Sequence, residues 1–345
     1  MATDTDEDVL IGGETDVDRE RTGNAVVNWM ENLSEAAYAY LLLLPAFALL
    51  TLIAFYPLLA TFVTSLRADR TRGLEPLGGF VGIDNYVDIL TGNARLARQF
   101  VDVGLSGSFP FVELGTPLLQ QALFVTIGFA AISVFLETLI GFGQAYVLDQ
   151  EFRGRRWVRV AIILPWAVPI VIQGMIFFLL FQPEVGFGTE LGQWLGIFGP
   201  NPLANSRDAF VIILVADVWK SSAFMALLIL AGLQSVDRSL YDVARVAGAS
   251  PWQRFKLITL PLVMPALLVA MLFRTMDAMR VYGLIESSVG CTTVPSLTCL
   301  VVEAMFGGTR IYATAAAVAF ATALVIGLII SGYVVFFRDT EGGLY

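Results

Sequence analysis

Three ionisable residues, Arg274, Asp277 and Arg280, recur at steps of three inside an otherwise apolar run. Each step of three falls about 60° short of a full helical turn, so the trio forms a slanted stripe able to line a cavity. A charge within such a run is costly and marks a candidate functional site. A second polar group interrupts the run before it, in "ADVWKSSAF", with Asp217, Trp219, Lys220 and Ser221. Planar polar groups that grip hydroxyls, beside aromatic faces that cover C–H surfaces, are the means by which a sugar is held. The plainer reading of the stripe is an internal ion pair, Asp277 with either arginine, that joins helices. For Lys220 the plainer reading is a snorkelling cation, and for Trp166, in "ILPWAVPI", an aromatic at a membrane interface.

The elements that must position these residues are apolar. The chain has 345 residues, 57% hydrophobic and 15% charged, and its mean hydropathy is +0.73, which places it among membrane proteins. A bilayer core needs about 20 apolar residues per helix. Six runs meet that length, approximately 38–66, 119–148, 157–181, 209–233, 259–284 and 312–337. Together they predict an all-α protein with six transmembrane helices bundled around a cavity. Prolines within the runs, among them Pro45, Pro165, Pro169 and Pro265, are tolerated where neighbours satisfy the freed carbonyls.

Basic residues in short loops favour the cytoplasm. Arg153, Arg155, Arg156 and Arg159 follow the second run, and Arg238, Arg245, Arg254 and Lys256 follow the fourth. Both groups are cytoplasmic together if the N- and C-termini are inside. The long outer loop 67–118 carries Arg67, Arg70 and Arg72 against this rule, which long loops obey poorly. Residues 1–37 read as an acidic cytoplasmic tail, disordered at its start, and 338–345 as a short cytoplasmic tail. The net charge is −9, and lysine occurs only at 220 and 256. That acidic, lysine-poor composition points to a salt-loving source such as a halophilic archaeon.

With no histidine present, His-dependent triads, H-E-x-x-H zinc sites and histidine relays are excluded. Cys291 and Cys299 both fall in the outer loop before the last helix, where they either form a disulfide or stay as two thiols.

The stretch "YDVARVAGASPWQRFKLITLP", residues 241–261, is charged and sharply punctuated between two apolar runs. Asp237 is placed to cap a short helix that ends at Gly248 in the left-handed C′ position, and Ser250 to cap a second helix with Pro251 first. The segment is therefore expected to lie outside the lipid as helix, turn and helix. Leu240, Val243, Ala244 and Ala247 form one small apolar face. A helix this short is unstable alone, and nothing in the sequence marks a docking place for it in its own chain.

This segment resembles the coupling loop of binding-protein-dependent ABC importer permeases, in which Glu-Ala-Ala, a Gly and Ile-x-Leu-Pro recur at fixed spacing. The matching residues here are Asp242, Val243 and Ala244, then Gly248 and Ala249, then Ile258, Leu260 and Pro261. Asp242 and Val243 replace the usual Glu and Ala, and Ala247 stands where an Asp often precedes the Gly. The flanks "ILPWAVPI", "VWKSSAFMALLILAGLQSV" and "FRTMDAMRVYGLI" are similar to the sugar-importing branch, closest to the first permease of trehalose- and maltose-type systems. The likeness covers roughly residues 38–337.

The resemblance implies the type I ABC importer permease fold and a loop, 237–258, seated in a cleft of a cytosolic ATPase. Asp242, Ala244, Arg245, Gly248, Ala249, Leu260 and Pro261 would make that coupling element. It also implies sugar contacts at Trp166, Asp217, Lys220, Ser221, Phe224, Asp277 and Arg280. Ile170 and Phe273 occupy matching positions too, but their apolar side chains suit packing better than recognition. The implied partners are a second homologous permease, two copies of the ATPase and an extracytoplasmic sugar-binding protein, within membrane lipid and without nucleic acid. No Gly-x-x-x-x-Gly-Lys-Ser/Thr phosphate loop occurs in the chain, so no cofactor is expected in it, and ATP and magnesium would belong to the ATPase.

Two other functions compete. An ion-coupled secondary transporter would use Arg274, Asp277 and Arg280, but it leaves the capped loop unexplained and lacks visible inverted repeats. An intramembrane enzyme would use Lys220 and Ser221, yet adjacent helical residues point about 100° apart.

Overall fold

The computed structural model describes residues 34–70, 76–105, 112–308 and 310–341. The expected tails therefore fall mostly outside the described residues, as does Arg72. The chain divides into two units, Met1–Leu59 and Ala60–Tyr345. In the first, a helix over Glu35–Leu50 is capped by Ser34, whose hydroxyl accepts from Ala37 N at 3.3 Å, and it runs into a π-helical turn at Thr51–Phe55.

Among the described residues, five helices are long and apolar enough to cross a membrane: Glu35–Ser65, Ala122–Asp149, Ser206–Gln234, Pro251–Ala278 and Tyr312–Val335. A sixth crossing is present if the pair Arg155–Ala167 and Ile170–Phe181, bent by 93°, counts as one. All six expected runs are thus helical, but two differ from expectation.

The third run is not one helix. Val168 is extended, with ψ 127°, because the ring of Pro169 disfavours helical backbone at the residue before it, and Pro169 has no N–H to donate. The fifth span starts earlier than expected. The second helix of the charged segment does not stop outside the apolar run; Pro251–Arg254 continues through a π-helical turn at Phe255–Thr259 into Leu260–Ala278. No residue between 251 and 278 breaks it, since Pro261 falls in the first turn of the α-helical part and Pro265 is accommodated inside.

The core of the second unit lies between the second and fourth spans, where Phe129, Ile212, Ile213, Met225 and Ile229 are fully buried. Their close approach needs a glycine. A Cβ on Gly141 would stand 2.7 Å from Met225 Cβ and 3.0 Å from Ala226 N. The fourth span is capped by Asn205, which accepts from Arg207 N and Asp208 N at 3.0 and 3.2 Å.

The outer loop 67–118 holds more structure than the sequence announces. Strand β1 (Arg67–Asp69) pairs antiparallel with β2 (Leu77–Phe80), and β3 (Val103–Leu105) with β4 (Val112–Leu114). The Asp69 carboxylate accepts from Ala313 N, Thr314 N and Thr314 Oγ1 at 2.7, 2.9 and 2.6 Å. It thereby satisfies donors at the start of the sixth span that a helix leaves unpaired. Between the last two spans the structure joins Cys291 to Cys299 in a disulfide, with Cα atoms 5.7 Å apart.

Candidate substrate and coupling sites

Arg274 sits on the fifth span with a side chain 3% exposed, and three carboxylates from three places meet it. Its Nε donates to Glu137 Oε2 at 2.5 Å and its Nη2 to Glu137 Oε1 at 3.0 Å, a two-pronged grip on a residue of the second span. Nη2 also donates to Asp217 Oδ2 of the fourth span. Nη1 donates to Asp277 Oδ2, one turn along its own helix, at 3.0 Å. A planar guanidinium with five donors is the side chain suited to such convergent pairing. Three spans are therefore tied at one point.

Members of this cluster differ in access. Glu137 is wholly buried, and Asp217 is nearly so, with Ser221 Oγ donating to its Oδ1 at 3.4 Å. Asp277 presents a side chain that is 77% exposed. Of the two arginines available to Asp277, the structure chooses Arg274; Arg280 is exposed and its Nε donates to Met276 O at 3.2 Å. Glu137 was not among the sequence candidates. The signal for it existed, since it is the lone charged residue in the run 119–148.

Lys220 is half-buried and does not snorkel. Its Nζ donates to Val168 O at 2.7 Å, the carbonyl laid bare where the third span breaks. Beside it, Trp166 stacks on Phe224 with ring centroids 6.3 Å apart and planes 21° apart. Gln173 secures the other side of the break, donating to Ala216 O of the fourth span at 2.5 Å. Trp166 is 47% exposed and Phe224 half-buried. The structure thus gathers Trp166, Lys220 and Phe224 at the break and Asp217, Ser221 and Asp277 around Arg274. Ile170 and Phe273 are 44% and 56% exposed in the single chain.

The loop after the fourth span folds as its caps dictate. Asp237 accepts from Ser239 N at 2.9 Å at the head of helix Arg238–Val246. Gly248 adopts φ +81°, and Ala249 N donates back to Ala244 O at 2.9 Å. Ser250 and Gln253 form a reciprocal capping box around Pro251. The short helix is not free of its own chain: Arg238 pairs with Asp149 at the end of the second span at 2.7 Å, and Tyr241 Oη lies 3.0 Å from Thr259 Oγ1 of the fifth. Its sequence shows no such anchor because both partners lie far away in the chain or around the turn.

Leu240, Val243, Val246 and Ala247 remain exposed, Val246 by 91%. Asp242 and Arg245, with side chains 69% and 66% exposed, form an i,i+3 pair at 3.4 Å on the same surface. Ala244, Ala249, Leu260 and Pro261 are half-buried, the last two already inside the fifth span. A rigid, doubly capped helix with an open apolar face has the geometry that helix-in-groove recognition uses.

Apolar spans, one of them broken, with a buried charge cluster joining three of them and a braced loop after the fourth, define a polytopic helical membrane protein. Residues 137–338 match the family described as binding-protein-dependent transport system inner membrane component, and the chain belongs to that family. It is 37% identical over 251 residues to the trehalose/maltose transport system permease protein MalF of Thermococcus litoralis, covering 73% of this chain and 76% of that one. It is 33% identical over 257 residues to the sulfoquinovosyl glycerol transport system permease protein SmoG of Agrobacterium fabrum, covering 74% and 75%. A crystal structure of a bacterial ABC transporter involved in the import of the acidic polysaccharide alginate superposes with a TM-score of 0.66 at 18% identity, covering 90% of this chain and 99% of that one. The expected ABC importer permease fold is borne out.

Proposed function

We propose that the chain is the membrane-spanning permease subunit of an ATP-driven importer that carries a sugar, a disaccharide such as trehalose or maltose, by alternating access. The observation that carries this reading is the braced helix Arg238–Val246 with its exposed apolar face, in a chain 37% identical to a trehalose/maltose permease. A rigid element transmits a rigid-body displacement, whereas a flexible loop absorbs it.

In this reading Asp242, Ala244, Arg245, Gly248 and Ala249 meet a separate cytosolic ATPase, and Leu260 and Pro261 pass the motion into the fifth span. Two ATPase copies bind the ATP and magnesium. A second homologous permease completes the pathway, and a sugar-binding protein delivers the substrate to the outer face. The chain resides in the cell membrane with both termini cytoplasmic, in a halophilic source. At the site, Asp277, Arg280 and Trp166 offer the exposed groups for a sugar, with Phe224 and Lys220 behind Trp166 and with Asp217 and Ser221 behind Asp277.

The test is Gly248→Leu, which forces a side chain into left-handed backbone at about 1–2 kcal/mol. Copurification of the ATPase and uptake of radiolabelled trehalose and maltose are then measured. Both are expected to fall together. Uptake that persists with no ATPase attached would overturn the importer reading.

A further inference from the structure

We infer that Arg274 is a positioning residue, through which the buried Glu137 sets the affinity of Asp277 for substrate. The inference rests on the proposed sugar site and adds a member that no substrate can touch in this state. Glu137 is 0% exposed and lies on a different span from Asp277. The two carboxylates share no hydrogen bond; each is held by Arg274.

Donor geometry carries the argument. A guanidinium is planar, so fixing two of its nitrogens fixes the third. Glu137 takes Nε and Nη2 in a fork, which sets the plane, and Asp217 takes the remaining direction of Nη2. Nη1 is then fixed in position with its two N–H bonds in that plane, and one of them meets Asp277 Oδ2, 3.0 Å away. That bond uses Oδ2 and leaves Oδ1 as the second acceptor of a side chain that is 77% exposed, the open one of the cluster. Without the fork, Arg274 keeps its charge but loses its orientation, and Asp277 loses its fixed rotamer. The other cations nearby donate elsewhere in this state: Lys220 to Val168 O, and the exposed Arg280, through its Nε, to Met276 O.

The experiment is a double-mutant cycle on the assembled permease complex, purified without the sugar-binding protein so that its affinity does not mask that of the membrane site. Binding of radiolabelled maltose and trehalose is measured for Glu137→Gln, Asp277→Asn and the pair. Each single change is expected to raise Kd about tenfold, and the pair no more than the larger single change, because residues acting through one network are not additive. Glu137→Asp, which keeps the charge on a shorter stem, is expected to restore part of the loss, and Arg274→Lys, a point charge without a plane, to behave like Glu137→Gln.

Additive losses, about a hundredfold for the pair, would overturn the inference. So would a Glu137→Gln protein that melts earlier yet binds sugar as the parent does. A parent complex that assembles with its ATPase but binds neither disaccharide, and imports neither when the sugar-binding protein is restored, would instead sink the sugar site itself, and this inference with it.

Discussion

Lys220 Nζ donates to the carbonyl of Val168, 2.7 Å away and 52 residues earlier in the chain, at the point where the third span breaks. A carbonyl freed by proline inside a membrane must be satisfied by a neighbour, and here the neighbour is a charged donor. Lys220→Met keeps the length and removes the donor. It is expected to destabilise the protein by about 1–3 kcal/mol, the cost of an unpaired buried polar group. Thermal unfolding of the detergent-solubilised protein checks this, and an unshifted midpoint would mean that water or another donor takes over.

Gly141 predicts a contrast within one helix. Adding a methyl there drives Cβ against Met225 Cβ and Ala226 N, whereas the same change at Gly128 meets nothing within 4 Å. Gly141→Ala is expected to cost about 1–3 kcal/mol through overpacking. Gly128→Ala should be neutral or slightly stabilising, since alanine is the better helix former. Equal melting temperatures for the two variants would show that the second and fourth spans do not approach as described.

Asp237 makes the head of the short helix sensitive to acid. The backbone N–H of Ser239 donates to its carboxylate and holds its pKa below the usual carboxylate value. A group depressed in the folded state contributes stability that is present above its unfolded pKa, about 3.9, and is lost as pH falls through the lower folded value. Hydrogen exchange over residues 238–246, corrected for intrinsic rates, should therefore show protection that is steady from neutrality to about pH 4 and declines below it. Asp237→Asn should flatten that decline. A wild-type profile without it would assign the cap no electrostatic share.

Legibility in the sequence followed the range of the interaction. The caps at Asp237, Gly248, Ser250 and Pro251 were readable because each acts within four residues, where chain geometry alone decides the partner. The break at Pro169 carried a local signal too, but tolerance of prolines in membrane helices hid whether it bends the span or merely dents it. The Arg274–Glu137 pair, 137 residues apart, had no local signal for pairing. A stripe at steps of three announces a charged face, and only packing of the second span against the fifth decides which carboxylate receives it. The same holds for Lys220, whose partner is a backbone carbonyl that exists as an acceptor only because another helix breaks.

The fifth span has one more consequence. Since its helix begins at Pro251, outside the apolar run, and continues through the turn at Phe255–Thr259 to Ala278, it is a rod with Arg274 about 35 Å from its first residue at the α-helical rise. Over that lever arm, a tilt of about 3° displaces the far end by about 2 Å. Two ångströms is several times the roughly 0.5 Å that separates a made from a broken hydrogen bond. The same piece of backbone therefore carries the exposed capped turn at one end and the charge cluster at the other, so that in the proposed importer a small angular stroke at the turn would be read at the cluster as a choice of hydrogen-bond partners.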